Sequence, residues 1–254
     1  RPTGEQLKKF EQKGGICHWR DTPSAARVAY DLMKDSLDLS HLEEVMPLVD
    51  ALDSGGITLV DFMDDGPVIR LSRSLSLSDP KHLQVVMEQF ASGQKLEQIL
   101  LSHDDLLNKL AKERETQMDI VSQNTKIVDE LAICDLSETG VRCNGYLVTA
   151  IAGDAALACC VIHGYCDGDI ENPARPALSA SFYANSFRKE PNKYDLSKLA
   201  THLDETGGGH ANACGCRIQP EVKEVQAVTL QDKEYNIKSW LNLWSQRDKL
   251  LMRD

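Results

Sequence analysis

The sequence predicts an α/β fold in two parts, and three observations carry that reading. Residues 79–131 are rich in helix formers and, beyond Gly93, nearly free of glycine. From about residue 131 the texture changes to short apolar, strand-like runs punctuated by turn residues. Further on, a glycine triplet followed by histidine, Gly207-Gly208-Gly209-His210, separates a helical run from another apolar run. At 254 residues the chain is long enough for one large or two medium domains, and the boundary is expected close to 128. Residues 1–128 and 129–254 are the two expected domains.

Taken in order, residues 24–34 predict a helix that Ser24 starts after Pro23. Residues 40–52 predict a second, with Ser40 as N-cap, Glu43 completing a capping box, and Val45, Val49 and Leu52 on its apolar stripe. Gly55-Gly56 stops that helix and leaves Asp53 at its C-terminal end. A lone carboxylate there faces the carbonyl ends of the helix, a conflict that a bound cation would relieve. An exposed loop aspartate is the alternative. Leu107, Leu110, Val121, Val128 and Leu131 belong to an apolar stripe that predicts a long helix joining the two domains.

Beyond it, residues 146–151 and 156–162 read as strands linked by Gly153-Asp154. Asp167-Gly168-Asp169 reads as a turn rather than a calcium loop, with Asn172-Pro173 punctuating the loop onward. A strand over 178–183, a helix over 194–203, the glycines and a run ending in Arg217-Ile218 follow. Residues 233–251, with Trp240 and Trp244 at i,i+4 spacing, predict a docked helix.

The net charge of −11 argues against a broad grip on long duplex nucleic acid, which needs many Lys and Arg contacts. It leaves room for a local basic pocket that takes one nucleotide or a short strand. No stretch approaches the roughly 20 apolar residues that span a bilayer. The eight cysteines are scattered and form no compact disulfide framework, so they read as reduced, cytoplasmic thiols that pack the core. His210, Cys214 and Cys216 lack the fourth ligand and the spacing of a zinc site, and packing is the better reading. Gly207, Gly208 and Gly209 leave three peptide N–H groups with no side chain in front of them, which suits an anion. His210 stands beside that cradle, where an imidazole can hydrogen-bond a phosphate.

Gly207-Gly208-Gly209-His210, followed by Ala213 and Gly215, resembles the signature of the DHH-associated domain, the substrate-binding module of the DHH phosphoesterase superfamily. Residues 16–32 resemble the segment that follows that family's Asp-His-His triplet, and Val49-Asp50-Ala51-Leu52-Asp53-Ser54-Gly55 resembles its fourth motif. The resemblance implies the remainder of a parallel-sheet DHH domain joined by a helix to a smaller, mixed-sheet α/β substrate-binding domain. It implies two divalent metals, commonly manganese, with Asp53 as a metal ligand and catalytic residue. Gly207, Gly208, Gly209 and His210 would hold substrate phosphate.

The chain departs from the family in two places. It contains no Asp-His-His and no early Asp-x-Asp, and the expectation is that roughly a hundred upstream residues of the first domain precede Arg1. Where relatives carry an Arg-Ser pair, this chain has Phe182-Tyr183; Arg188 could supply the charge, or the aromatic pair could stack on a base. The expected activity is hydrolysis of phosphoester bonds in short oligonucleotides, nucleotide bisphosphates or cyclic dinucleotides, with pyrophosphate or polyphosphate as further candidates. A noncatalytic nucleotide-binding module is the reading from a different class. A small nucleotide or short single-stranded oligonucleotide is the expected partner, and homodimerisation stays open.

Overall fold

The computed structural model describes residues 4–18, 20–76, 79–164, 178–222 and 228–253. The chain divides into two compact units, Arg1–Ala111 and Lys112–Asp254. The division falls inside a helix, ahead of the boundary expected at 128. The turns expected at Asp167-Gly168-Asp169 and Asn172-Pro173, and Cys166, lie outside the described residues.

The regular elements of the first unit are all helices among its described residues. It runs through α1 (Gly4–Gln12), α2 (Ala25–Met33), α3 (Met46–Ser54), α4 (Leu59–Met63), α5 (Pro67–Leu75), α6 (Pro80–Ala91) and α7 (Leu96–Ser102). Ser24 caps α2 as expected, its hydroxyl accepting from the Arg27 amide at 3.0 Å. The helix expected over 40–52 is broken. Asp38 takes both the amide and the hydroxyl of Ser40, so Ser40 enters a single 3-10 turn and no capping box forms. The α-helix restarts at Met46-Pro47, where proline's fixed φ suits a first turn. Gly55, at φ 74°, ends α3 in the left-handed conformation. Val45, Val68, Leu71, Val86, Leu96 and Ile99 form the core that α3, α5, α6 and α7 share.

The helix α8 (Asp104–Gln123) crosses the division between the units. It is shorter than the apolar stripe suggested. Val128 and Leu131 belong instead to a hairpin of β1 (Thr125–Val128) and β2 (Leu131–Leu136). Asp129 and Glu130 turn that hairpin with φ of 48° and 64°, a conformation that usually selects glycine or asparagine. The Trp244 indole N–H donates to the Asp129 carbonyl at 2.7 Å, and Arg247 pairs with both carboxylates, which holds the turn in place.

After β2 come α9 (Gly145–Ala152), β3 (Ala158–His163), β4 (Ser179–Ala184), α10 (Ser197–Ala200), β5 (Gly208–His210), β6 (Ala213–Arg217), α11 (Leu230–Trp244) and α12 (Arg247–Leu250). Residues 146–151, expected as a strand, are the helix α9. Asn144 caps it by accepting from the Leu147 amide, and the Thr149 hydroxyl donates back to the Gly145 carbonyl. The helix expected over 194–203 shrinks to the single turn of α10.

The strands form one six-stranded mixed sheet in the order β1-β2-β3-β4-β6-β5, parallel only between β2 and β3. The crossover that makes this pair parallel is α9, which packs over β2, β3 and β4. On the opposite face, Phe182, Ile162, Leu199, Trp240 and Trp244 lead a buried apolar core beneath α10 and α11. Phe182 and Trp240 meet edge to face with ring centroids 5.0 Å apart. Both tryptophans of the expected C-terminal helix are fully buried. Cys160, Cys214 and Cys216 fill the same core as packers, so the expected role of these thiols holds. No helix among the described residues is long and apolar enough to cross a membrane.

Candidate functional site

In the first unit, the start of α2 and the end of α3 border an open cleft of about 430 Å³. His18, Arg20, Thr22, Ser24, Val28 and Asp53 are among its lining residues. Of these, Ser24 donates from its hydroxyl at 2.6 Å to the Asp50 carboxylate, which also accepts from Arg27 Nε at 2.8 Å and so ties α3 to α2. Burial pushes the Asp50 carboxyl up, but the bonds from Ser24 and Arg27 outweigh it and hold the group below its ordinary range. Asp53 stands exposed in the last turn of α3, at the helix end where the sequence puts it. Neither the Asp53 carboxylate nor the guanidinium of the exposed Arg20 is hydrogen-bonded or ion-paired to another described residue. The cleft therefore offers one cation, one imidazole and one carboxylate to a ligand.

Those groups do not make the metal centre that the resemblance implies. His18 and Asp53 supply two donors, and no group of three or more His, Cys, Asp or Glu side chains among the described residues could hold a metal ion. A stable site for manganese, let alone two ions, needs more oxygen or imidazole ligands than that.

In the second unit Gly208 and Gly209 lie in a strand, with Gly207 just ahead of it, rather than in a free loop. The Gly207 amide donates to the Asp204 carbonyl at 2.9 Å, so one of the three N–H groups expected to face an anion is already used. Gly208, Gly209 and His210 form β5, which pairs antiparallel with β6 at the edge of the sheet. Gly209 is required there. Its φ is 139°, and a Cβ would fall 2.7 Å from the Ala213 carbonyl oxygen. Gly208, at φ 149°, has open space where a side chain would project. His210 is exposed.

Strand register shows what surrounds these residues. Residues directly opposite one another share a face. One row across the sheet therefore runs Cys159, Tyr183, Ala213, His210, and the next Val161, Ser181, Gly215, Gly208. A third runs His163, Ser179, Arg217. All three lie on the α9 face. Where β6 and β5 extend past β4, the floor is made of Ala213, Gly215 and Gly208, with His210 at one end and Arg217 at the other. His210, Ala213 and Arg217 are exposed, and the Arg217 guanidinium has no hydrogen bond or ion pair to another described residue.

Strand alternation separates Phe182 from Tyr183. Phe182 is buried in the core, so the two aromatics cannot stack together on a base. Only Tyr183 points to the α9 face, half-buried, its ring packed against Gly145 of α9 and 6.3 Å from the Tyr146 ring. Burial, with the nearby thiols, pushes the Tyr183 hydroxyl above its ordinary range and keeps it a donor. Arg188 donates from Nη1 to the Asp154 carbonyl at 2.6 Å, bracing the turn after α9. Sequence reasoning missed Arg20, His18 and Arg217 as site candidates. Arg217 was within reach, because Ala213-x-Gly215-x-Arg217 sets small residues and a cation on one strand face.

The α/β fold class expected from the sequence holds through the mixed sheet of the second unit, while the first unit is built of helices and carries no strand among its described residues. A solved structure similar to this chain is PggH, a pGpG-specific phosphodiesterase from Vibrio cholerae. The likeness has a TM-score of 0.66 at 16% identity and covers 94% of this chain and 88% of that one. Another is an exopolyphosphatase-related protein from Bacteroides fragilis, with a TM-score of 0.37 at 17% identity over 66% of this chain and 46% of that one. No family model matches the sequence, and no curated protein matches it at a significant level.

Proposed function

We propose that this protein is a phosphoesterase of the DHH type that acts on a small nucleotide, with a linear dinucleotide of the pGpG kind as first candidate. The observation that carries the reading is the open face of β5 and β6. Its floor of glycine and alanine admits a phosphate close to the backbone, and Arg217 and His210 flank it with hydrogen-bond donors. Tyr183 in the adjoining row offers a ring for a base. The fold shared with a pGpG-specific phosphodiesterase supports the same reading. Gly208 and His210 hold phosphate, and Arg188 is a candidate second cation at the end of the sheet where β4 finishes. Short oligonucleotides and nucleotide bisphosphates are alternative substrates of the same chemistry.

Asp53 is the carboxylate proposed to bind a divalent metal, manganese by the family resemblance. Hydrolysis through metal needs donors beyond those the described residues bring together, and that gap favours a second reading. In it the protein is a noncatalytic module that binds a nucleotide and does not cleave it. A reducing, cytoplasmic setting fits either reading, since the seven cysteines among the described residues are unpaired.

One experiment separates the two. The protein is incubated with manganese and, in turn, pGpG, a 5′-phosphorylated trinucleotide, a nucleoside bisphosphate and pyrophosphate, with binding followed by calorimetry and products by chromatography. Release of mononucleotide, lost in Asp53→Asn, supports the enzyme. Binding without product supports the module. Neither binding nor cleavage of any of the four would sink both.

A further inference from the structure

Three aromatic side chains meet on the α9 face of the sheet, beside the floor of Ala213, Gly215 and Gly208. Tyr183 lies directly opposite Ala213 in the strand register, one strand spacing of about 5 Å away. The Tyr146 ring is 6.3 Å from the Tyr183 ring, and the Phe187 ring lies 6.0 Å from Tyr146 at an angle of 64°. All three side chains are half-buried. On the other face of the sheet, by contrast, Phe182, Trp240 and Trp244 are fully buried. The start of α9 presses on Tyr183 so closely that a Cβ on Gly145 would fall 2.1 Å from its ring. That contact backs Tyr183 and carries Tyr146, the next residue of α9, to its place beside it.

Phe187 is held as firmly. Its amide donates to Asn185 Oδ1 at 3.1 Å, and Asn185 Nδ2 donates to the Gly153 and Ala156 carbonyls at 2.8 and 2.9 Å. Arg188 adds its own bond to the Asp154 carbonyl. The turn after β4 is thereby fastened to the connection between α9 and β3. Rings whose backbone is fixed before a ligand arrives lose little freedom on binding, and an aromatic face can stack on any base.

We propose that Tyr146 and Phe187, continuing the surface that Tyr183 begins, form the base-binding subsite of the β5–β6 face and take a nucleobase by stacking. The inference rests on the phosphate site proposed above. His210, Ala213 and Tyr183 share one row, so a phosphate beside His210 directs the rest of its nucleotide along that row toward the rings. The floor and its donors set affinity for any phosphorylated ligand. The rings add what distinguishes a nucleotide from phosphate on a bare sugar.

The test titrates guanosine 5′-monophosphate and ribose 5-phosphate, which differ by the base, into the whole chain by calorimetry. Wild type should bind the nucleotide at least about fivefold more tightly. That comparison depends on no variant. Tyr146→Leu and Phe187→Leu keep an apolar side chain without a ring. Each should weaken the nucleotide roughly fivefold to a hundredfold and leave ribose 5-phosphate unchanged. Tyr146→Phe restores the ring and should recover affinity. Equal wild-type affinity for the two ligands, leucine variants that bind the nucleotide as wild type does, or equal losses for both ligands would each overturn the subsite. In any of these cases, weakening of both ligands by His210→Ala leaves the phosphate site standing without it. If wild type binds neither ligand, the phosphate site falls and the subsite with it.

Discussion

The Ser24 hydroxyl donates to the Asp50 carboxylate at 2.6 Å while accepting from the Arg27 amide at 3.0 Å. One buried side chain thereby caps α2 and ties it to α3, the two helices that border the cleft. Ser24→Ala should lower stability by about 1 kcal/mol through loss of the cap. It also leaves Asp50 with Arg27 alone. Urea unfolding checks the magnitude, and an unchanged midpoint would dismiss the cap.

The same carboxylate sets a pH dependence. Asp50 has a lowered pKa in the folded chain, so the unfolded chain takes up the proton more readily. Its contribution is complete above the unfolded value of about 4 and is lost as pH falls through the lower folded value. Asp50→Asn should therefore lower stability at neutral pH and flatten the acid limb below about pH 4. Thermal melts from pH 2 to 7 read both effects.

A second carboxylate network joins distant parts of the sheet unit. Lys233, buried in α11, meets Asp135 Oδ2 at 2.7 Å and donates to the Ser137 hydroxyl at 2.9 Å. Burial raises the Asp135 pKa, but the bonds from Lys233 and Ser137 prevail and lower it. Breaking a fully buried pair costs roughly 3–5 kcal/mol. Asp135 keeps 32% of its side chain exposed, so Lys233→Met should cost less, about 2 kcal/mol. Wild type should lose this contribution as pH falls below about 4, and the variant should lack that step. Denaturant midpoints at pH 7 and pH 3 test it; equal losses at both would show that packing, not charge, is at stake.

Elements with a local cause were legible in the sequence. Pro23-Ser24 marks the start of α2, and the spacing of Trp240 and Trp244 marks α11. The alternating apolar runs mark β4 and β6. Residues 146–151 misled because β-branched and aromatic side chains favour strands on average, while the Asn144 cap and α9's place over the sheet decide otherwise. The β1–β2 hairpin was hidden because Asp129 and Glu130 turn with positive φ where no glycine advertises it. Partners far along the chain, Trp244 and Arg247, hold that turn. The candidate site divides in the same way. Asp53 and the glycines stand out as motifs, whereas the alignment of Arg217 with Ser179 and of His210 with Tyr183 exists only through strand register.

Register also predicts how the glycines differ from one another. Gly209→Ala sets a Cβ 2.7 Å from the Ala213 carbonyl oxygen at φ 139°, so both sterics and backbone oppose it. Gly208→Ala meets no atom within 4 Å and carries only the backbone penalty. Gly209→Ala should be the more destabilising by at least about 1 kcal/mol. It should also free the amides of β5 to hydrogen exchange. Equal losses from the two variants would mean that β5 is not closed against β6 as described.

His210 and Arg217 are the pair on which the proposed phosphate site stands or falls. Both are exposed, so replacing either by alanine should leave stability within about 0.5 kcal/mol of wild type. Each would remove a donor to a charged acceptor, a loss of about 1.5–3 kcal/mol, or roughly tenfold to a hundredfold in affinity. The two stand at opposite ends of the floor, separated along β6 by the rows from Ala213 to Arg217. A dinucleotide with two phosphates can engage both at once, while a mononucleotide engages one. Loss from the double variant should then approach the product of the single losses for pGpG. For a mononucleotide it should be no greater than the larger single loss. Calorimetric titration of both ligands into wild type and the three variants measures this directly. If wild type binds and neither alanine variant weakens any phosphorylated ligand, the site does not lie on this face of the sheet.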